Sequence, residues 1–401
     1  MGAKFLLSII IPTKNRQNYA INAVEQILQM NDYRIQIILQ DNSDDSILFE
    51  MLCRYKEDER LKYNYSPGVI SFVDNFSLAV SLADGEYVCV IGDDDGITPQ
   101  IIDIVEWASK NNIDAIKPEL NAVYFWPNSE AIKNEEDNGY LNIYKITAKA
   151  RICNPYLEVI KLLKQGGQNY LSLDLVKLYH GIVRKDCLDN IKTKTGKYFG
   201  GLSPDIYITI ALSLTINKVV TVDLPLTISG ICNKSGSADS ATGRHTGKLE
   251  DAPHFRGHEK YEWSGLVPRF YSVETIWADS AIAAINDLNE MEILKEFNVS
   301  ALSACCLKKY PQFKNIIKPH YGSWLKESNQ SKIKLEIINL ENHIICFTKK
   351  VIRRIKRRPG DIVHINGVTN IIESGKVLQK RFDELEIDSE SIKSSLDNLI
   401  K

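Results

Sequence analysis

Apolar positions in the first hundred residues fall into two alternating rhythms. Phe5–Ile11 is a nearly unbroken apolar run, rich in isoleucine and stopped by Pro12. That is the pattern of a strand covered on both faces, as in parallel sheets. Arg16–Met30 follows with Ile21, Val24 and Leu28 at helical spacing, and Ile35–Leu39 reads as a second strand ending at Gln40-Asp41-Asn42-Ser43. Ile47, Leu48, Met51, Leu52 and Tyr55 form another helical stripe. A brief strand near Leu61–Tyr65, a helix around Phe72–Ala83 and a strand at Tyr87–Ile91 complete the alternation. This order predicts an α/β fold with a mostly parallel sheet flanked by helices. From Trp263 the spacing turns helical: Tyr271–Leu288 and Met291–Lys309 predict a C-terminal helical extension, and Val377–Ile400 carries a heptad-like stripe suited to pairing with another chain.

Composition narrows the class. The 401 residues carry 49 Lys+Arg against 51 Asp+Glu, a formal charge of −2, with 44% hydrophobic and 25% charged residues. These are globular values that exclude disorder and argue against a nucleic-acid partner. The length suits two or three domains. Eight cysteines (53, 89, 153, 187, 232, 305, 306 and 346) are scattered without a CxxC pair, and are expected to be reduced. With no leader and no apolar stretch long enough to span a membrane, the expectation is a soluble cytoplasmic protein.

In a parallel sheet, ligands gather beyond the carboxyl ends of the strands. Three such ends carry polar clusters: Pro12-Thr13-Lys14-Asn15-Arg16, Asp41-Asn42-Ser43-Asp44-Asp45 and Gly92-Asp93-Asp94-Asp95-Gly96. No GxGxxG follows the first strand and no GxxxxGK[ST] occurs, so neither a dinucleotide fingerprint nor a P-loop is present. Adjacent carboxylates at Asp93, Asp94 and Asp95 repel one another and need a counter-charge. A divalent cation shared with a substrate diphosphate supplies one, since Mg²⁺ and Mn²⁺ favour oxygen ligands. The alternative is a solvated acidic turn. An aspartyl-phosphatase DxDx[TV] motif fails at Ile97.

Taken in order, IIIPTKNR (Ile9–Arg16), IILQDNSDDS (Ile37–Ser46) and DNFSLAVSLADGEYVCVIGDDD (Asp74–Asp95) resemble the family 2 glycosyltransferases of GT-A fold, of the kind that builds bacterial capsules, O-antigens and other surface polysaccharides. The resemblance is strong over residues 5–117 and weaker to about residue 230. It implies a GT-A nucleotide-diphospho-sugar transferase. Pro12 and Thr13 would line the nucleoside pocket, with Arg16 in the same site. Asp41 would face the base, usually uracil, and Asn75 would border the nucleotide. Asp93–Asp95 would be the metal motif for Mn²⁺ or Mg²⁺, with Asp95 and Asp93 as ligands and Asp94 close to the sugar or ribose. Gln40 departs from the family pattern, where Val or Asp often precedes the base-reading Asp, and leaves the base open.

Sugar transfer with inversion needs a base for the acceptor hydroxyl and positive charge at the leaving diphosphate. Gly200-Gly201-Leu202-Ser203-Pro204-Asp205 opens an apolar helical stretch, with Pro204 in its first turn. Asp205 matches the position of the family's base; its other reading is a helix-dipole partner, and a depressed pKa is expected for its ionised state. Gly230–Gly247 reads either as a loop closing over the donor, with Lys234, Arg244 and His245 reaching the diphosphate, or as a plain linker. His254 and His258, with Glu259, do not make a zinc site, and His180 in the strand-like stretch Leu175–Val183 reads as a core or acceptor-cleft residue. Lys349–Arg358 holds seven cations and no acid, a basic amphipathic segment suited to an anionic membrane surface, or a solvated or RNA-binding face.

The chain therefore divides as a GT-A catalytic domain (1–230), a loop over the active site (231–262), a helical extension (263–340) and a basic tail (341–401). The implied enzyme is a hexosyl- or N-acetylhexosaminyl-transferase, peripheral at the inner face of the plasma membrane. Its partners are a nucleotide-sugar donor and a saccharide or lipid-linked saccharide acceptor, and an oligomer is open to it through the heptad-like stripe. A non-catalytic sugar-nucleotide or polysaccharide-binding module is the other class of reading.

Overall fold

A computed structural model describes residues 3–127, 129, 138–233, 246–251, 255, 261–328, 340 and 362–399. In chain order the strands are β1 (Phe5–Thr13), β2 (Ile35–Asp41), β3 (Leu61–Tyr65), β4 (Gly85–Val90), β5 (Gly96–Ile97), β6 (Ala115–Pro118), β7 (Ala122–Phe125), β8 (Tyr140–Tyr144), β9 (Ala150–Cys153), β10 (Ile182–Arg184), β11 (Val219–Val222), β12 (Thr227–Ile231), β13 (Thr246–Gly247), β14 (Tyr271–Ser272) and β15 (Ile362–Asn366). The helices are α1 (Gln17–Leu28), α2 (Ile47–Leu52), α3 (Phe72–Ser81), α4 (Gln100–Lys110), α5 (Pro155–Lys164), α6 (Lys185–Thr195), α7 (Pro204–Thr215), α8 (Val273–Asp287), α9 (Met291–Leu294), α10 (Val299–Lys309), α11 (Lys314–Ser328), α12 (Ile371–Glu384) and α13 (Ser389–Asp397).

The main sheet has the order β3-β2-β1-β4-β10-β6-β11-β9. Its first four strands are all parallel, β11 runs parallel to β6, and β10 is antiparallel to both of its neighbours. Ile9, Ile10 and Ile11 are fully buried, alternating between the two faces: Ile9 and Ile11 pack with α1 and α4, Ile10 with α3 and α7. At roughly 1.5–3 kcal/mol for each fully buried side chain, that two-sided burial is why the central strand has no polar alternation. The register pairs Thr13 with Asp41 and Asp41 with Tyr65, so three strands end level and present their polar residues along one edge.

Helix α7 is buried on both sides. Ile208, Ala211 and Leu212 face the sheet layer, while Ile206, Tyr207 and Ile210 join a core formed with α5, α8 and α10. The helical extension thus shares a core with the sheet layer through α7. The sequence suggested one helix over Met291–Lys309; the structure breaks it, and Asn298 caps α10 by accepting from the Ala301 N–H at 2.9 Å. Asn is a favoured N-cap because its side chain satisfies an orphan donor of the first turn. Leu175–Val183, expected as strand-like, is strand only from Ile182; residues 177–181 form a tight turn instead.

The end of the chain differs most from the sequence reading. β15 pairs antiparallel with β8 in a second sheet of order β15-β8-β7-β12-β5. Ile371, Leu378 and Phe382 of α12 and Ile392 and Leu396 of α13 are fully buried in the core that contains α1 and α4. The stripe in Val377–Ile400, read as a surface for another chain, is therefore covered by the same chain. Lys349–Arg358, Cys346, Lys234, Arg244, His245, His254, His258 and Glu259 lie outside the described residues. Among the described residues the cysteines form no disulfide, and no helix is long and apolar enough to cross a membrane.

Candidate functional site

The acidic cluster follows β4 directly, at the edge where β1 and β2 end. Asp93, Asp94 and Asp95 are only 2–3% exposed. Each has its own partners. The Thr13 hydroxyl donates to Asp93 Oδ2 at 2.6 Å. The Arg16 guanidinium reaches both of the first two carboxylates, with Nη2 3.0 Å from Asp93 Oδ1 and 2.9 Å from Asp94 Oδ1. It also donates to Cys232 Sγ at 2.9 Å, and it lies over the Tyr19 ring. Thr13 and Arg16, grouped with the aspartates through the family resemblance, do meet them. The counter-charge that three carboxylates require is supplied in this structure by Arg16.

Asp95 is held differently. Its Oδ1 accepts from the Gly230 N–H at 2.7 Å; its Oδ2 accepts from the Gly92 N–H at 2.6 Å and the Tyr179 hydroxyl at 3.0 Å. His180 Nε2 stands 3.3 Å from Oδ2, and its Nδ1 is 2.9 Å from Thr227 Oγ1. Burial pulls the His180 pKa down to about 3, so the ring is neutral and the contact is not an ion pair. Both oxygens of Asp95 are thus engaged, whereas Asp94 Oδ2 and Arg16 Nε are buried without a hydrogen-bond partner. The expectation placed Asp95 first among metal ligands; the available oxygens belong to Asp93 and Asp94. Burial raises the pKa of all three carboxyls, and Arg16 opposes this at Asp93 and Asp94.

Two glycines make this packing possible. A Cβ on Gly230 would stand 1.9 Å from the Asp94 carbonyl oxygen and 3.1 Å from Trp126 Nε1, which itself donates to that carbonyl at 2.9 Å. A Cβ on Gly181 would stand 1.9 Å from the Lys177 carbonyl. The Lys177–Gly181 turn is pinned to β4 by the Val90 N–H donating to the Leu178 carbonyl and the His180 N–H donating to the Val90 carbonyl. His180 adopts φ 59°, uncommon for a residue with a side chain. This turn delivers Tyr179 and His180 to Asp95, and sequence reasoning missed Tyr179. The available signal was a Tyr-His-Gly triplet interrupting an otherwise strand-like apolar stretch.

Asp205 sits in the first turn of α7, half-buried, as the sequence placed it. Burial pushes its pKa up to about 6, with Lys177 pulling the other way. The expected depressed value is therefore reversed, because desolvation of the carboxylate outweighs a single cation. The Tyr179 phenol is raised by burial and by the charges of Asp95, Asp94 and Asp205. Lys177 lies over the Tyr170 ring, 5.4 Å from its centroid, and burial lowers its pKa to about 8.

At the neighbouring strand end, Asp41 accepts from the Tyr63 hydroxyl and the Ser43 N–H, both at 2.8 Å. Pro12 pairs with Gln40 in the register, and Gln40 Oε1 accepts from Asn64 at 2.7 Å. Gln40 Nε2 and, on α3, Asn75 Oδ1 are buried without partners. Asp41 and Asn75 thus occupy the same edge, on neighbouring elements, but are not joined to the aspartate network by any of these hydrogen bonds.

The glycosyl transferase family 2 model matches residues 8–152, the stretch that carries this strand edge and its buried aspartate cluster. That stretch holds β1 to β4 and the aspartate cluster, within an α/β fold. Among curated relatives, the colanic acid biosynthesis glycosyl transferase WcaA of Escherichia coli (strain K12) is 33% identical over 102 residues, 25% of this chain and 36% of that protein. Glycosyltransferase GlyG of Streptococcus pneumoniae serotype 4 is 25% identical over 99 residues, 24% of this chain and 33% of that protein. The matches span about a third of each of these relatives. In overall shape the chain has a TM-score of 0.46 to S. aureus TarS 1–349 in complex with UDP-GlcNAc, at 13% identity over 82% of this chain and 93% of that one. Asp205, the helical extension and the returning C-terminal segment lie beyond the family match.

Proposed function

We infer that the chain is an inverting, metal-dependent glycosyltransferase. It moves a hexosyl or N-acetylhexosaminyl group from a nucleotide-diphosphate donor, UDP-linked, to a hydroxyl of a surface polysaccharide or glycolipid. The observation that carries this reading is the buried Asp93–Asp95 cluster at the level strand edge, within the stretch that the family 2 model matches. The names of WcaA and GlyG support the reaction class and, for WcaA, a polysaccharide product.

Asp205 takes the proton of the acceptor hydroxyl at its carboxylate as that oxygen attacks the anomeric carbon. A base with a pKa of about 6 is ionised at neutral pH and still basic enough to accept the proton. Arg16 and Thr13 are placed to bind phosphate oxygens at the edge of the cluster, and Asp41 and Asn75 to border the nucleoside. Asp94 Oδ2, buried and without a partner, and Asp93 Oδ1, facing only the Arg16 guanidinium, fit a hard cation. Among the described residues no group of three His, Cys, Asp or Glu side chains is arranged to hold an ion by itself. The remaining ligands then belong to the donor diphosphate. A bound Mn²⁺ or Mg²⁺ would neutralise charge on the departing diphosphate.

The test is donor binding and transfer with UDP, GDP, CDP and dTDP sugars, with Mn²⁺ or EDTA. Binding of one donor that requires metal, with transfer lost and binding kept in Asp205→Asn, supports the reading. Nucleotide-sugar binding without turnover in the wild type identifies a binding module instead. The basic stretch Lys349–Arg358 supports a peripheral position at the inner face of the membrane. Replacing its seven cations by Gln is then expected to abolish sedimentation with phosphatidylserine vesicles and spare that with none.

A further inference from the structure

We propose that Arg16 is a resident counter-ion that closes the acidic cluster when no donor is bound, and that it must leave Asp94 before a divalent cation can enter. The proposal rests on the reading of Asp93 and Asp94 as the cation-facing pair. One guanidinium nitrogen stands 3.0 Å from Asp93 Oδ1 and 2.9 Å from Asp94 Oδ1, in contact with both carboxylates that would hold a cation. A cation and the guanidinium cannot both occupy that position, since like charges at such a distance repel strongly where water is scarce.

Arg16 Nε is buried and makes no hydrogen bond, and Oδ2 of Asp94, whose other oxygen Arg16 contacts, is also unsatisfied. Buried polar atoms without partners are costly, and two of opposite sense at one spot describe a site that is completed by a ligand. A diphosphate offers what the guanidinium lacks: a planar fork of N–H donors binds phosphate in paired hydrogen bonds. The guanidinium lies over the Tyr19 ring, and Trp126 stands edge-on to Tyr19 at 4.8 Å, so an aromatic face supports the cation. The diphosphate draws Arg16 from the carboxylates, the carboxylates accept the cation, and the two ligands favour each other. Such coupling is reciprocal.

Mn²⁺ binding to the full chain, read from the electron paramagnetic resonance of the free ion at pH 8, tests this first without nucleotide and then with UDP. Arg16→Gln is expected to bind Mn²⁺ about tenfold more tightly than the wild type, and adding UDP is expected to tighten Mn²⁺ binding in the wild type about tenfold more than in Arg16→Gln. Arg16→Lys, whose ammonium can face one carboxylate at a time, is intermediate. It becomes the deciding variant if circular dichroism shows that Arg16→Gln does not fold. A folded variant whose nucleotide-free Mn²⁺ affinity equals or falls below that of the wild type overturns the proposal. A blank donor panel with the expected Mn²⁺ titration would overturn the transferase reading and leave Arg16 as the counter-ion.

Discussion

Asp205 carries a cost that reports its role. Its pKa of about 6 in the folded chain, against about 3.9 in a free side chain, means that the folded state holds the proton more tightly. Its charge therefore destabilises the fold as pH rises through this interval, by a few kcal/mol at most. Asp205→Asn is expected to raise the melting temperature at pH 8 and leave it unchanged near pH 4, while transfer falls about 10²–10⁴-fold. In the wild type, transfer is expected to fall tenfold per pH unit below about 6, as the carboxylate is protonated. Scanning calorimetry at the two pH values, with initial rates alongside, reads both. Asp95 is also raised by burial, but both of its oxygens are held by donors. In Asp95→Asn an amide N–H must face the Gly92 or Gly230 N–H. A stability loss of about 1–3 kcal/mol is expected in urea unfolding. Tyr179→Phe removes one donor to the same carboxylate, and the double variant should lose less than the sum.

At the scale of elements, the strands and helices of the first hundred residues were legible because their two periods differ and their burial is two-sided. The acidic cluster was legible because three adjacent carboxylates after an apolar strand have few physical explanations. Asp205 was found from the Pro at a helix start together with the family pattern. What the sequence did not show are contacts made over long separations. Arg16 meets Asp93 across almost eighty positions, and Gly230 meets Asp95 across 135. Nothing local distinguishes Gly230 from the other glycines of its segment; only its distance to the Asp94 carbonyl does. Gly230→Ala should therefore push β12 from the acidic cluster at a cost of about 1–3 kcal/mol, with metal and donor affinity falling together in calorimetric titrations. The Lys177–Gly181 turn escaped notice for a related reason: its apolar neighbours read as a strand, and only pairing with β4 shows that the chain folds back there.

For the molecule as a whole, the helical extension and the returning C-terminal segment are parts of the same packing problem. α8 packs on α7, the helix that carries Asp205, and the Tyr207 hydroxyl donates to Asp287 at 2.7 Å. Tyr207→Phe should therefore move transfer and stability together, which parallel rate and unfolding measurements would show. On the other side of the sheet, Trp107 Nε1 donates to Asp397 at 2.8 Å, and the Tyr124 hydroxyl donates to the Val368 carbonyl at 3.1 Å. A chain stopped before Ile362 exposes the apolar faces of α1 and α4 and is expected to be insoluble.

The packing of α12 on α1 also has a consequence in time. Residues 17–28 and 371–384 are separated by about 340 positions, which a ribosome takes roughly 20–70 s to traverse. Through that interval the outer face of α1 has no cover of its own, although β1, β2 and β4 can already pair beneath it. Helix α1 must wait for a segment made about 340 residues later, and a nascent chain in that state is a natural client for a chaperone that shields apolar helix surface.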